Sequence, residues 1–260
     1  MIDIGNTPEY FIGFALLLAR VGGLMIFAPF WGSFAIARSI RVVLALVLCA
    51  VLYPVIGSQI TLPSLDPVTV VLGLASEMAV GLMLGLAGQI FLAALQLAGT
   101  VMGFQMGFSL VNVIDPQTNV EISVLAVLYN LAAITLFLIM DAHIWFFQAM
   151  VDSYQIVPPL TASLSGQLFD EMLRISSGLF YLGVKLAMPI VVVGITVDVL
   201  LGIVGRAAPQ IHILIAGLPL KVLVGFIMVT LTARALIPFF DHHLSDLHRD
   251  LYIILRTLAV

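Results

Sequence analysis

The sequence predicts an all-α, membrane-type helical protein. Three observations carry this: a series of apolar runs of helix length, a shortage of charge, and breaks built from proline, glycine and aspartate. Of the 260 residues, 62% are hydrophobic and only 9% are charged, against about 25% in a typical soluble domain. So little charge cannot cover the surface of a soluble protein of this size. The excess apolar surface must face lipid, other subunits, or both.

A membrane-spanning helix needs about 20 apolar residues. The first run, Tyr10–Ile36, is interrupted by Arg20 and Pro29. The second, Val42–Ile56, is short for a span and ends at Pro54-Val55-Ile56-Gly57. The turn Leu62-Pro63-Ser64-Leu65-Asp66-Pro67 follows, with Asp66 placed to cap the next helix. The third run, Val68–Ala98, is too long for one untilted span. Ile122–Met140 is the fourth, followed by the shorter Ile144–Val151, which Val157-Pro158-Pro159 ends. Ser176–Val204 and Ile211–Ile237 flank Ala207-Ala208-Pro209-Gln210 and so form a hairpin. The tail Pro238–Val260 is mixed, with Asp241, His242, His243, Asp246, His248, Arg249 and Asp250 ahead of Leu251–Leu255. The N-terminus has no positive region and no Ala-x-Ala site, so the first apolar run is expected to stay in the protein.

Charge placement resists a simple topology. Arg38 and Arg41 mark one end of the first hairpin, whereas Arg206 and Arg234 mark opposite ends of one later segment. A segment crossing the bilayer simply cannot satisfy the positive-inside rule at both ends. Either the topology is unusual or some helices do not cross lipid.

The third helix carries a polar and glycine stripe. At about 100° per residue, Glu77, Gly81, Gly85, Gly88, Gln89, Gln96, Gly99 and Gly103 fall within a sector roughly 120° wide. Such a face suits close helix contact, either within the chain or with a neighbouring subunit or lumen. Glu77, Lys185, Asp198 and Lys221 stand inside apolar runs and must pair, snorkel or face water. Asp198 lies between Gly194 and Gly202, on a second close-packing face.

Gly99–Glu121 is apolar, glycine-spaced and rich in Met and Phe, yet contains Asp115-Pro116. Irregular backbone at membrane depth survives only when buried in protein or lining a cavity. A broken helix near a pathway and a re-entrant packing loop both fit. Other chemistry is poorly served. A net charge of −4 with no basic run gives no hold on nucleic acid. The single cysteine, Cys49, excludes a disulfide framework within the chain. The five histidines, His143, His212, His242, His243 and His248, have no zinc-ligand spacing. No nucleophile elbow, phosphate loop or paired carboxylates point to an enzyme. A secondary transporter of ions or small molecules remains an alternative, on the buried charges and the broken segment.

Several segments together resemble the FliR family of flagellar type III export-gate proteins. They are Gly103-Phe104-Gln105-Met106-Gly107-Phe108-Ser109 with Val113-Ile114-Asp115-Pro116, Leu136–Ile139 with His143, and Val151-Asp152-Ser153-Tyr154 with Pro158. Ala187-Met188-Pro189, Leu201–Gln210 and Gly217-Leu218-Pro219-Leu220 complete the set. Ala142 departs from the glycine expected before the histidine, which touches only the local turn. The resemblance implies a FliP-like helical region at 1–170 and a FliQ-like helical hairpin with a C-terminal tail at 171–260, the boundary near Thr161–Arg174. It implies a spiral assembly with FliP and FliQ, with FlhB nearby, in the bacterial inner membrane at the flagellar basal body. Much of that assembly would be raised above the bilayer plane, which would account for the failed charge rule. It further implies passage of unfolded flagellar proteins and no cofactor. Segment 103–116 would be a plug, with Phe104, Met106, Phe108, Leu110, Val111, Asn112, Val113, Ile114, Asp115 and Pro116 closing the channel. Injectisome relatives share the fold; Asp115-Pro116 and the Ala-Pro-Gln apex favour the flagellar branch.

Overall fold

The structure, a computed structural model, describes residues 7–32, 36–57, 60, 66–108, 123–163, 165–208 and 213–259, with the backbone alone at 7–9 and 213–216. Among the described residues there are seven helices and no strand. They are α1 (Thr7–Phe27), α2 (Arg38–Ile56), α3 (Pro67–Gln105), α4 (Val124–Ile139), α5 (Ala142–Ile156), α6 (Gly166–Ala207) and α7 (Ile213–Leu258). The protein is therefore all-α. Helices α1, α2, α3, α6 and α7 are long and apolar enough to cross a membrane, and α4 with α5 makes a sixth candidate bent by 65°. The bend falls at Asp141, whose φ of 56° is left-handed. That conformation cannot continue the helical ladder, so a new helix starts there, with Asp141 O accepting from Ile144 N–H at 2.9 Å.

Several helices outrun their apolar runs. Helix α3 has 39 residues, roughly 60 Å of helix against a hydrocarbon core of about 30 Å. It begins with Pro67 in its first position, where the missing N–H costs nothing, and Asp66 O accepts from Val70 N–H at 3.1 Å. It then runs past Ala98 to Gln105. Helix α6 starts at Gly166, well before Ser176. Helix α7 corrects the reading of a separate mixed tail, because it passes through Pro219 and Pro238 to Leu258. A proline forfeits one backbone bond and kinks the helix. The tail stays helical because its apolar residues keep a helical period, burying Leu244, Leu247, Leu251, Ile254, Leu255 and Leu258.

The chain divides into two compact units. The first comprises Met1–Ile90, Phe137–Ser176 and Leu244–Val260; the second comprises Phe91–Leu136 and Ser177–His243. Three of the longest helices thus contribute to both.

In the first unit α1 and α3 cross with their backbones nearly touching. A Cβ on Gly23 would strike Met78 O, and one on Gly81 would strike Arg20 O. One on Gly85 would sit 2.6 Å from Leu24 O. At this crossing Arg20 and Glu77 meet, both fully buried, with Arg20 Nε donating to Glu77 Oε2 at 2.6 Å. Arg20 Nη1 donates to Ser153 Oγ at 2.8 Å and Nη2 to Val157 O at 3.1 Å. The guanidinium lies 4.0 Å from the Tyr154 ring centre. Glu77 Oε1 accepts from Leu160 N–H at 3.4 Å. The chain end is also tied in this unit. Tyr252 OH donates to Asp152 Oδ2 at 2.6 Å, Ser163 N–H to Leu258 O at 2.9 Å, and Arg174 bridges Glu171 and Asp250.

In the second unit α3 and α4 approach as closely, because a Cβ on Gly99 would lie 2.5 Å from Leu125 O. Gly183 of α6 faces Ala94 O of α3 in the same way, at 2.9 Å from a built Cβ. Phe91 and Phe240 pack edge-on at 5.1 Å.

Removing one partner of a buried pair leaves an uncompensated charge, at a cost of about 3–5 kcal/mol, whereas replacing both with apolar side chains can be near neutral. Arg20→Met and Glu77→Leu should each sharply lower the melting temperature of the chain purified in detergent. The double variant should melt closer to wild type than either single change. Additive losses in a thermal scan would show that the two side chains act independently.

Candidate functional site

The residues at the end of α3 are where sequence and geometry converge. The helix closes with a Schellman motif. Phe108 N–H reaches back to Gly103 O and Gly107 N–H to Phe104 O, both at 3.1 Å. The motif needs a left-handed residue at the position held by Gly107, whose φ is 85°, and only glycine takes that conformation without strain. Of the plug residues, Phe104, Met106 and Phe108 are described here. Phe104 is 63% exposed and Met106 is buried, so these two side chains point to opposite environments. Leu110, Val111, Asn112, Val113, Ile114, Asp115 and Pro116 lie outside the described residues.

Beside this turn stands the second charged group of the apolar helices. Asp198 of α6 is ion-paired with Lys221 of α7, and its Oδ2 accepts from Gln105 Nε2 at 3.2 Å. The pair is partly exposed, unlike Arg20–Glu77. A narrow cleft beside it is lined by Gln105, Met106, Gly194, Lys221, Gly225 and Met228. Lys185 lies on an exposed stretch of α6 with its ammonium 5.3 Å from the Tyr181 ring centre.

The α3 stripe is taken up by the chain itself over most of its length. Glu77, Gly81, Gly85 and Gly88 face α1, Pro29 and Phe146, while Gly99 and Gly103 face Leu125, Ala126 and Ser123. Gln89 and Gln96, at the edge of the same sector, are exposed. The sector gives a direction around the helix, but what covers that direction changes along 39 residues.

Arg20, in the sequence only a break in an apolar run, is the partner of Glu77. The signal is one cation and one anion, each alone in its apolar run and each requiring a partner. His143 and His248 pack on aromatic rings, His143 at 6.3 Å from Trp31, and His248 at 4.9 Å from Trp145 and 5.2 Å from Tyr252. The arrangement at the end of α3 offers hydrogen bonding, charge pairing and adaptable apolar packing.

A family model described as bacterial export proteins, family 1, matches residues 11–247. The chain belongs to this family. Proteins named flagellar biosynthetic protein FliR are similar along nearly the whole length. The one from Pectobacterium carotovorum is 29% identical over 256 residues, covering 97% of this chain and 95% of that protein. The Escherichia coli K12 protein is 29% identical over 247 residues, covering 94% and 92%. The Bacillus subtilis 168 protein is 30% identical over 230 residues, covering 87% and 88%.

The α1–α3 crossing and the α3 terminus both lie within the span that matches the family of export proteins. The crossing makes a prediction that separates the chain's own packing from assembly with a neighbour. Gly85→Leu should lower the melting temperature of the chain purified by itself, because the new side chain collides with Leu24 O of α1 and with Ala28 N just past its end. The same loss should appear as low yield before any partner is added. A chain of normal stability that fails only to co-purify with other subunits would place the defect at an intermolecular contact.

Proposed function

We propose that this chain is a subunit of the flagellar protein export gate and fills the role of its FliR relatives. One observation carries the reading: proteins of that name from three bacteria align over most of this chain and most of their own length. Their shared flagellar name favours the flagellar branch over the injectisome. The apolar helices agree with a membrane setting, here the bacterial inner membrane at the basal body. Helices α2, α6 and α7 expose Val43, Val47, Val51, Val192, Val199 and Leu231 among other large apolar side chains, and such surface requires lipid or partner subunits.

In this reading FliP and FliQ pack against the chain, FlhB lies close by, and unfolded flagellar proteins pass through the channel they share. Residues 1–170 supply a FliP-like region and 171–260 a FliQ-like hairpin and tail. The plug at 103–116 seals the channel at rest. Met and Phe repack as a substrate passes, and an apolar constriction excludes ions by dewetting. An ion-transporter reading loses one of its two motives, because Glu77 and Asp198 are each paired with a cation of the same chain.

Deleting the gene for this chain in its source bacterium should abolish swimming and the export of filament protein, and plasmid-borne expression should restore both. Tagged FliP should co-purify with the chain. Removing Leu110–Ile114 should raise the conductance of the purified complex in a planar bilayer while the complex stays whole. Normal swimming without the chain would sink the export reading. Equal, near-zero conductance with and without the segment would move the seal elsewhere.

A further inference from the structure

We infer that Gln105, Asp198 and Lys221 form a latch that holds the last turn of α3 in the groove between α6 and α7. Three kinds of contact converge on four consecutive residues. Gln105 donates through Nε2 to Asp198 Oδ2 at 3.2 Å, and Lys221 fixes that carboxylate from the other helix of the groove. Met106 is buried to 1% exposure against Gly225 of α7. Phe108 sits edge-on to Phe226 at 6.2 Å. Between them Gly107 takes the left-handed turn that lets Met106 and Phe108 both face α7.

The groove is cut to receive these side chains. A Cβ on Gly194 would collide with Gln105, and one on Gly225 with Met106. Glycine at each position makes the room that the latch fills. The polar part is suited to release. Asp198 and Lys221 keep 43% and 23% of their side-chain surface exposed, so each can find other polar partners when Gln105 leaves. The apolar part is suited as well, because methionine fills an irregular gap and leaves it without strain. The latch fixes how the chain leaves α3. Its use in transport rests on the export-gate reading, whereas its existence does not.

The test is backbone hydrogen exchange, read by mass spectrometry on the full-length chain purified in detergent. The reporters are the Met106, Gly107 and Phe108 amides, whose bonds to Met102, Phe104 and Gly103 close the last turn of α3. Asp198→Ala and Lys221→Ala should each speed exchange there by about tenfold, the factor expected when an interhelical polar contact worth 1–2 kcal/mol is lost from a membrane-type bundle. Asp198→Lys combined with Lys221→Asp should return exchange to within about threefold of wild type. The Gln105 amide both donates and accepts, and so can bond either sign of charge. Unchanged exchange in both single variants would overturn the latch. So would a double variant that exchanges as fast as the singles, or a rise spread evenly over α6 and α7, since either marks general packing. None of these readings depends on motility, so failure of the export reading and failure of the latch are told apart.

Discussion

The fully buried pair of Arg20 and Glu77 is the constraint around which the first unit is arranged. Neither charge is tolerable alone in an apolar helix. Once they meet, each still has hydrogen-bonding capacity to satisfy, and the surroundings supply it. Ser153 and Val157 O take two further guanidinium donors, and Tyr154 stacks against its face. On the acid, Leu160 N–H uses the second oxygen. One ion pair thereby fixes α1, α3, α5 and the turn after α5. Leu160 shows the hold directly. Its φ of 71° is costly for a leucine, and it is kept there by Glu77 at its N–H and by the space over Gly73, which its side chain fills.

The glycines serve the same crossing. Gly23, Gly81 and Gly85 remove the side chains that would hold α1 and α3 apart where the Arg20–Glu77 pair forms. The second unit uses the same device with backbone against backbone at Gly99 and Gly183. In lipid, where burial of apolar surface gives helices no reason to associate, such contacts are what remains to drive packing.

Much of this was legible in the residues. Apolar runs of helix length predicted the helices, and a helix begins at Pro67 and another stops before Pro158 as their residues suggest. The need of Asp198 for a polar partner was visible too, and Lys221 with Gln105 meets it. What escaped was long-range or cooperative. Arg20 reads as a blemish in an apolar run until its partner, 57 residues away, is known. Helix α7 continues through Pro238 because the apolar residues beyond it keep a helical period and are buried, from Phe240 and Leu244 to Leu258, whereas proline alone signals a stop. The break expected from Gly99 onward begins only after Gln105. Gly99 and Gly103 serve close packing inside the helix, and Gly107 alone serves the turn. Spacing by itself cannot separate those two uses of glycine.

The two charged pairs differ in a way that assigns them different work. Arg20–Glu77 has no exposed surface and four further polar or aromatic contacts. Breaking it strands charges in a low-dielectric interior, which makes it the costlier pair to open. Asp198–Lys221 sits at a partly exposed edge, where its ions keep access to other polar groups and separation costs less than at the buried pair. A structure that must be rigid in one place and releasable in another would put its strong pair at the crossing that defines the scaffold. It would put its weak pair where a helix ends and the chain turns. The burial of the two pairs follows that order.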